Sequence, residues 1–205
     1  MSDTAALARL TAHIRACRIC VERPLGEPLP HEPRPVLVPS SRARILIAGQ
    51  APGTRVHASG KPFTDPSGDR LRAWLGVTPE QFYDQRLFAI APMGFCFPGL
   101  DRHGGDLPPR KECAPAWRKQ LMALMPQVDL IIAIGGHAQR WHLGSETFST
   151  VSRMVLDWRA HAKRTPPVFA LPHPSWRNSG WLKRNPWFET ELLPVLQEAV
   201  KSHVS

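Results

Sequence analysis

Four short apolar runs, each emptying at once into a loop rich in Gly, Pro, Ser or His, constrain this chain more than any other feature. They are Ala43 to Ala48 (ARILIA), Leu87 to Ala91 (LFAIA), Asp129 to Ile134 (DLIIAI) and Pro167 to Leu171 (PVFAL). A run without polar alternation is what a strand buried on both faces needs, and such strands belong to parallel sheets covered by helices. Segments of helical character lie between and after them, at 68–75, 114–124, 151–161 and 187–204. The alternation predicts an α/β fold, a single-domain three-layer α/β/α sandwich around a central four-stranded, mainly parallel sheet. A chain of 205 residues with 42% apolar content fits one such core.

Residues 1–41 read as part of the same domain and 42–205 as its body. Leu7, Leu10 and Ile14 give a helical period over Thr4 to Val21, ending in a Cys-Arg-Ile-Cys turn. The next segment, 22–41, holds six prolines in twenty residues. That is too many for a helix or a central strand, so it should run extended around the body, anchored by Leu25, Leu29, Val36, Leu37 and Val38.

Twenty-six Lys and Arg against seventeen Asp and Glu leave a net charge of +9, which favours a polyanionic partner. No apolar run approaches a membrane span of about 18 residues, and the start lacks a secretory pattern, so no membrane partner and a cytoplasmic location are expected. Thiols stay reduced there. Cys17 and Cys20 form C-x2-C, and Cys96 and Cys113 follow far downstream, with 16 residues between them. Four thiolates brought together suit zinc or an iron–sulfur cluster; four unrelated buried cysteines are the alternative.

In open α/β sheets ligands sit beyond the carboxyl ends of the strands. Those ends carry Gly49-Gln50-Ala51-Pro52-Gly53, Pro92-Met93-Gly94-Phe95-Cys96, Gly135-Gly136-His137 and His173-Pro174-Ser175-Trp176-Arg177-Asn178. With Gly60-Lys61-Pro62-Phe63 after the first, these motifs resemble, in order, those of the uracil-DNA glycosylase superfamily. The cysteine spacing is similar to its iron–sulfur family 4, and the H-P-S-x-R-N form to its single-strand-selective monofunctional branch.

The resemblance implies a monofunctional glycosylase acting as a monomer on DNA containing a damaged base, uracil or another deaminated base. His173 would donate to the oxygen of the departing base and stabilise its developing charge. Phe63 would stack on the flipped base, while Gln50, Ala51, Pro52 and Gly53 line its pocket. Gly135 and Gly136 would let a phosphate approach a helix N-terminus. Ser175, Trp176, Arg177 and Asn178 would press on the DNA, with Trp176 or Arg177 as the wedge and Lys183 and Arg184 alongside. Arg153, Arg159, Lys163 and Arg164 extend the basic track. Cys17, Cys20, Cys96 and Cys113 would hold a structural [4Fe-4S] cluster, with zinc as the alternative.

The departures fall on the water-activating groups. Ala51 stands where several branches carry Asp or Asn, and Gln50, Val56 and His57 replace the acidic residues of family 4. Pro92 stands where family 4 has its base-reading asparagine. His57 and Asp65 remain as candidates to position water, with Asp69 assigned to a helix face; a further branch uses a histidine in a similar R-x-H setting as a covalent nucleophile. A DNA-binding or damage-sensing module without turnover and a small-molecule nucleoside hydrolase are the competing readings.

Overall fold

The computed structural model describes residues 3–144 and 150–204. Its strands are β1 (Ile45–Ala48), β2 (Phe88–Ile90), β3 (Leu130–Ile134) and β4 (Val168–Leu171), each within two residues of the apolar run that predicts it. Every strand residue is buried. The order is β2-β1-β3-β4, and all three pairings are parallel, with Ile45 opposite both Phe88 and Leu130 and Ile131 opposite Val168. The sheet is the middle layer of a three-layer α/β/α fold.

Helices and helical turns connect and flank these strands: α1 (Asp3–Arg15), α2 (Ile19–Glu22), α3 (Thr54–Ser59), α4 (Pro66–Leu75), α5 (Pro79–Phe82), α6 (Cys113–Ala123), α7 (Gly135–Leu143), α8 (Val151–Leu156), α9 (Trp158–His161), α10 (Ser179–Arg184) and α11 (Leu193–Val204). Local chemistry sets their ends. Asp65 caps α4 by accepting from the Gly68 N–H, Pro66 occupies its first turn, and Gly76 closes it with φ +67°. Thr78 and Gln81 form a reciprocal capping box on α5, a signature legible in Thr78-Pro79-Glu80-Gln81.

The structure corrects several expectations. The first helix stops at Arg15 instead of reaching Val21, because the Cys17 N–H turns back onto the Ile14 carbonyl and Ile19–Glu22 makes a separate turn. The helix expected over 151–161 breaks at Asp157 into α8 and α9, and that over 187–204 opens with a π-helical turn, Phe188–Leu192, before α11. In the proline-rich segment Leu29, Val36 and Leu37 are buried, whereas Leu25 is 67% exposed and holds the segment through its backbone N–H, which donates to Glu112 Oε1 at 3.1 Å. Its end covers the sheet: Val38 pairs antiparallel with Ile90, and the Val36 N–H donates to the Phe95 carbonyl at 2.7 Å. That contact covers an edge strand that would otherwise present unpaired backbone groups.

From β1 the chain moves to one neighbour, β2, and later to the other, β3. The crevice at such a reversal opens beyond the carboxyl ends of β1 and β3. One buried cation shapes its floor. Arg118 of α6 is fully buried and donates to the Ala91 and Pro92 carbonyls at 2.7 and 3.0 Å, fixing the exit of β2. His142 Nε2 lies 2.7 Å from the same guanidinium. Burial, followed by that positive charge, pushes the His142 pKa down to about 3, so the imidazole is neutral and can accept.

Candidate active site and cysteine cavity

A cleft of about 430 Å³ opens where the reversal places it, a volume within the range of small-ligand pockets. Its walls come from the loop after β1, the exit of β2, Ile134 at the end of β3 and His173 after β4. Gln50, Ala51, Pro52 and Gly53 line it as expected. The Gly49 and Gln50 carbonyls accept from the Met93 and Gly94 N–H groups, both at 2.9 Å, so this loop is braced against the exit of β2.

Phe63 also lines the cleft, held by an unusual backbone. It is the one described non-glycine residue with positive φ, +56°. Its carbonyl accepts from Tyr83 Oη at 3.0 Å and Arg72 Nη1 at 3.1 Å. Gly68 permits this close packing, since a Cβ there would collide with the Phe63 oxygen. The ring rests edge-on against Phe82, with its tip directed at Gly49.

His173 lines the same cleft, and its backbone carbonyl accepts from Asn178 Nδ2 at 2.7 Å. The surrounding walls strip water from the ring and lower its pKa, while the Asp65 and Asp106 carboxylates oppose the shift. A neutral ring that donates one N–H is the result at neutral pH. Asp65 lines the cleft too, but its Oδ1 is occupied by the Ser67 hydroxyl at 2.7 Å and the Gly68 N–H at 3.3 Å.

Asp106 is the cleft residue that the motifs do not reveal. It comes from the loop between Cys96 and Cys113, and its Oδ2 would stand 3.2 Å from a Cβ built on Gly53. Desolvation by the cleft walls raises its pKa, with His173 and Arg177 pulling the other way. The only sequence hint is an acid after Gly104-Gly105 at the tip of a loop bracketed by cysteines.

Other expected residues fall elsewhere. His57 does not line the cleft: it packs against His31 and Phe97, with ring centroids 4.5 and 5.7 Å away, and burial lowers its pKa. It lies on α3, whose cleft-lining residues are Thr54, Arg55 and Val56. Gly135 and Gly136 start α7 behind Ile134 and do not line the cleft either. Gly135 has φ +78°, so glycine serves the strand-to-helix turn there.

Ser175, Trp176 and Arg177 rim the outer cleft, Trp176 being 76% exposed with the Arg177 guanidinium 5.9 Å from its ring. Asn178 instead clasps the loop through its bond to His173, and Arg70 of α4 adds a bond to the Ser175 carbonyl at 3.0 Å. Lys183 and Arg184 are exposed on α10 outside the cleft lining. Arg153 and Arg159 are ion-paired to Asp157 and Glu191, which reduces what they can offer a phosphate track.

A family model described as the uracil DNA glycosylase superfamily matches residues 35–197, most of the chain. This chain belongs to the uracil DNA glycosylase superfamily. The superfamily match covers every cleft residue named above, together with Cys96 and Cys113; Cys17 and Cys20 precede it.

All four cysteines are free and line one further cavity, between α1, α2 and the loop entering α6. The Trp117 indole N–H donates to Cys17 Sγ at 3.3 Å and the Phe95 N–H to Cys113 Sγ at 3.4 Å. Arg110 lines the same cavity. Burial pushes the Cys96 and Cys113 thiols up to about 12, so both are protonated unless a cation shares the space. Among the described residues, no group of three or more His, Cys, Asp or Glu is arranged to hold a metal ion. The four thiols that line this cavity are of the residue type that an iron–sulfur cluster takes as ligands.

Proposed function

We propose that this chain is a monofunctional DNA glycosylase that acts as a monomer and hydrolyses the N-glycosidic bond of uracil or another deaminated base in DNA. The observation that carries the reading is that His173 and Phe63 line one cleft together with the Gly49–Gly53 loop. A flipped base stacked on Phe63 would present its carbonyl edge to a neutral imidazole. As the C1′–N bond loosens, negative charge grows on that carbonyl oxygen, and the His173 N–H stabilises it without first surrendering a proton. Trp176 and Arg177, exposed at the rim, supply an apolar wedge and a phosphate contact. Among the described residues lining the cleft, none is a lysine, which supports base release without strand cleavage.

Cys17, Cys20, Cys96 and Cys113 would hold a [4Fe-4S] cluster. Its contribution when bound is structural: it ties α1 and α2 to the loop that carries Asp106, and hydrolysis of a glycosidic bond requires no electron transfer.

The test is incubation with oligonucleotides carrying uracil, hypoxanthine or xanthine, followed by alkali cleavage and a denaturing gel. An alkali-labile product from at least one substrate, with no cleavage before alkali, is the expected result. Binding without product under single-turnover conditions on all three would replace the enzyme by a damage-sensing module.

A further inference from the structure

We propose that Asp106, delivered by the loop between Cys96 and Cys113, is the general base that takes a proton from the attacking water. The inference rests on the glycosylase reading above and supplies the group that the loop after β1 lacks. Ala51 has no polar side-chain atom to hold water, and the remaining acid from that side, Asp65, is committed to capping α4. The Asp106 carboxylate has no such commitment. Among the described residues no protein donor bonds it, and Oδ2 lies close over Gly53. It thus stands beside the backbone that floors the cleft, on the same rim as His173 and Arg177.

The loop is built to hold that position. Leu100 and Asp106 form an antiparallel bridge, the Asp101 N–H donates to the Gly105 carbonyl at 2.7 Å, and the Leu107 N–H donates to the Gly99 carbonyl at 3.0 Å. Asp101 Oδ1 accepts from the His103 and Gly105 N–H groups at 2.8 and 2.9 Å, closing the tip. At the loop's base, Pro109 packs so tightly on Gly94 that a Cβ there would stand 2.9 Å from it. A carboxylate on such a hairpin is preorganised, and preorganisation is what general-base catalysis requires of its geometry.

The step balances as a hydrolysis. The C1′–N bond breaks and its electron pair leaves with the base, which carries the charge against the His173 N–H and is protonated from solvent on release. Water oxygen bonds to C1′, one of its protons passes to an Asp106 oxygen, and the resulting carboxylic acid returns it to solvent. The charged and titratable groups facing Asp106 are His173, Arg177 and Asp65.

The experiment uses full-length protein with its metal content matched between variants and a uracil-containing oligonucleotide in single turnover. Asp106→Asn should lower the rate of base release about 100-fold or more, within the usual range for a lost general base, while Kd for the same oligonucleotide changes less than about threefold. The wild-type rate should fall on the acid side at a pH above the ordinary carboxylate range, and this limb should vanish in Asp106→Asn. Asp106→Ala should recover activity with added formate, which a merely structural role would not allow. A variant within about threefold of wild type, or an unchanged acid limb, overturns the assignment while leaving the glycosylase reading intact. A wild-type protein that releases no base removes both.

Discussion

The cysteine cavity and the cleft lie on the same molecule but are built in opposite ways. Around the first, Cys20, Cys96 and Cys113 are 7, 8 and 9% exposed, with Cys20 and Cys96 packed beside Leu29 in the interior. Around the second, His173, Asp106 and Arg177 stand at the surface, where the cleft walls partly screen His173 and Asp106 from water, on a scaffold that does not need them for its core. Damage to the cavity should therefore register as lost fold, and damage to the cleft as lost chemistry with the fold intact. One loop belongs to both: it leaves one cavity wall at Cys96, carries Asp106 to the cleft and returns at Cys113.

Cysteine replacement should have the largest effect. Freshly purified protein should be brown, with broad absorbance near ~400 nm, and Cys113→Ala should bleach it and drive most of the chain into the insoluble fraction. Colourless protein with one zinc per chain would exchange the cluster for a single ion; metal-free protein after anaerobic preparation would leave four packed thiols. On the cleft side, His173→Ala should cost ~100- to 1,000-fold in base release, roughly 3–4 kcal/mol, with an unchanged melting temperature. A shifted melting temperature would blur the division between the two regions.

Gly68→Ala probes whether the division is strict, because it is a core change aimed at a cleft residue. The added methyl must displace the Phe63 carbonyl, at a cost of roughly 1–3 kcal/mol, so both thermal stability and affinity for a uracil-containing oligonucleotide should fall. Smaller again, Trp176→Ala should weaken binding to uracil-containing duplex by about tenfold more than to undamaged duplex, as loss of roughly one stacking contact predicts. Equal weakening would make Trp176 a general contact. The smallest effect belongs to His57→Ala, which should release base at close to the wild-type rate and form no heat-stable DNA adduct, nor should wild type. An adduct present in wild type and lost in the variant would return His57 to the chemistry.

How much of this was legible follows physical lines. The strands were, because burial on both faces leaves continuous apolar runs such as LIIAI that little else produces. Gln50 to Gly53 and His173 were legible as motif residues at strand exits that the sheet topology brings together, and Phe63 and Asp65 as residues of the connection between α3 and α4. His57 lies off the cleft because the motif fixed its place in the chain and not its side of a short helix. Asp106 and Arg118 were hidden for the same reason in reverse: nothing in the local pattern marks either one, and each acquires its role only when an irregular loop or a helix packs against the sheet. Arg118 resembles any helical surface arginine until the Ala91 and Pro92 carbonyls close on it.

The all-parallel sheet also gives the molecule a working end and a blank one. Every strand enters from the blank end, through the connections before Ile45, Phe88, Leu130 and Val168, and all the cleft residues hang from the far side. For anyone fastening this protein to a surface, a dye or a second domain, the entry side is the natural handle. An attachment there leaves the whole approach of a long, stiff polymer to the cleft unobstructed, whereas the same attachment on the 99–107 hairpin would stand in its path.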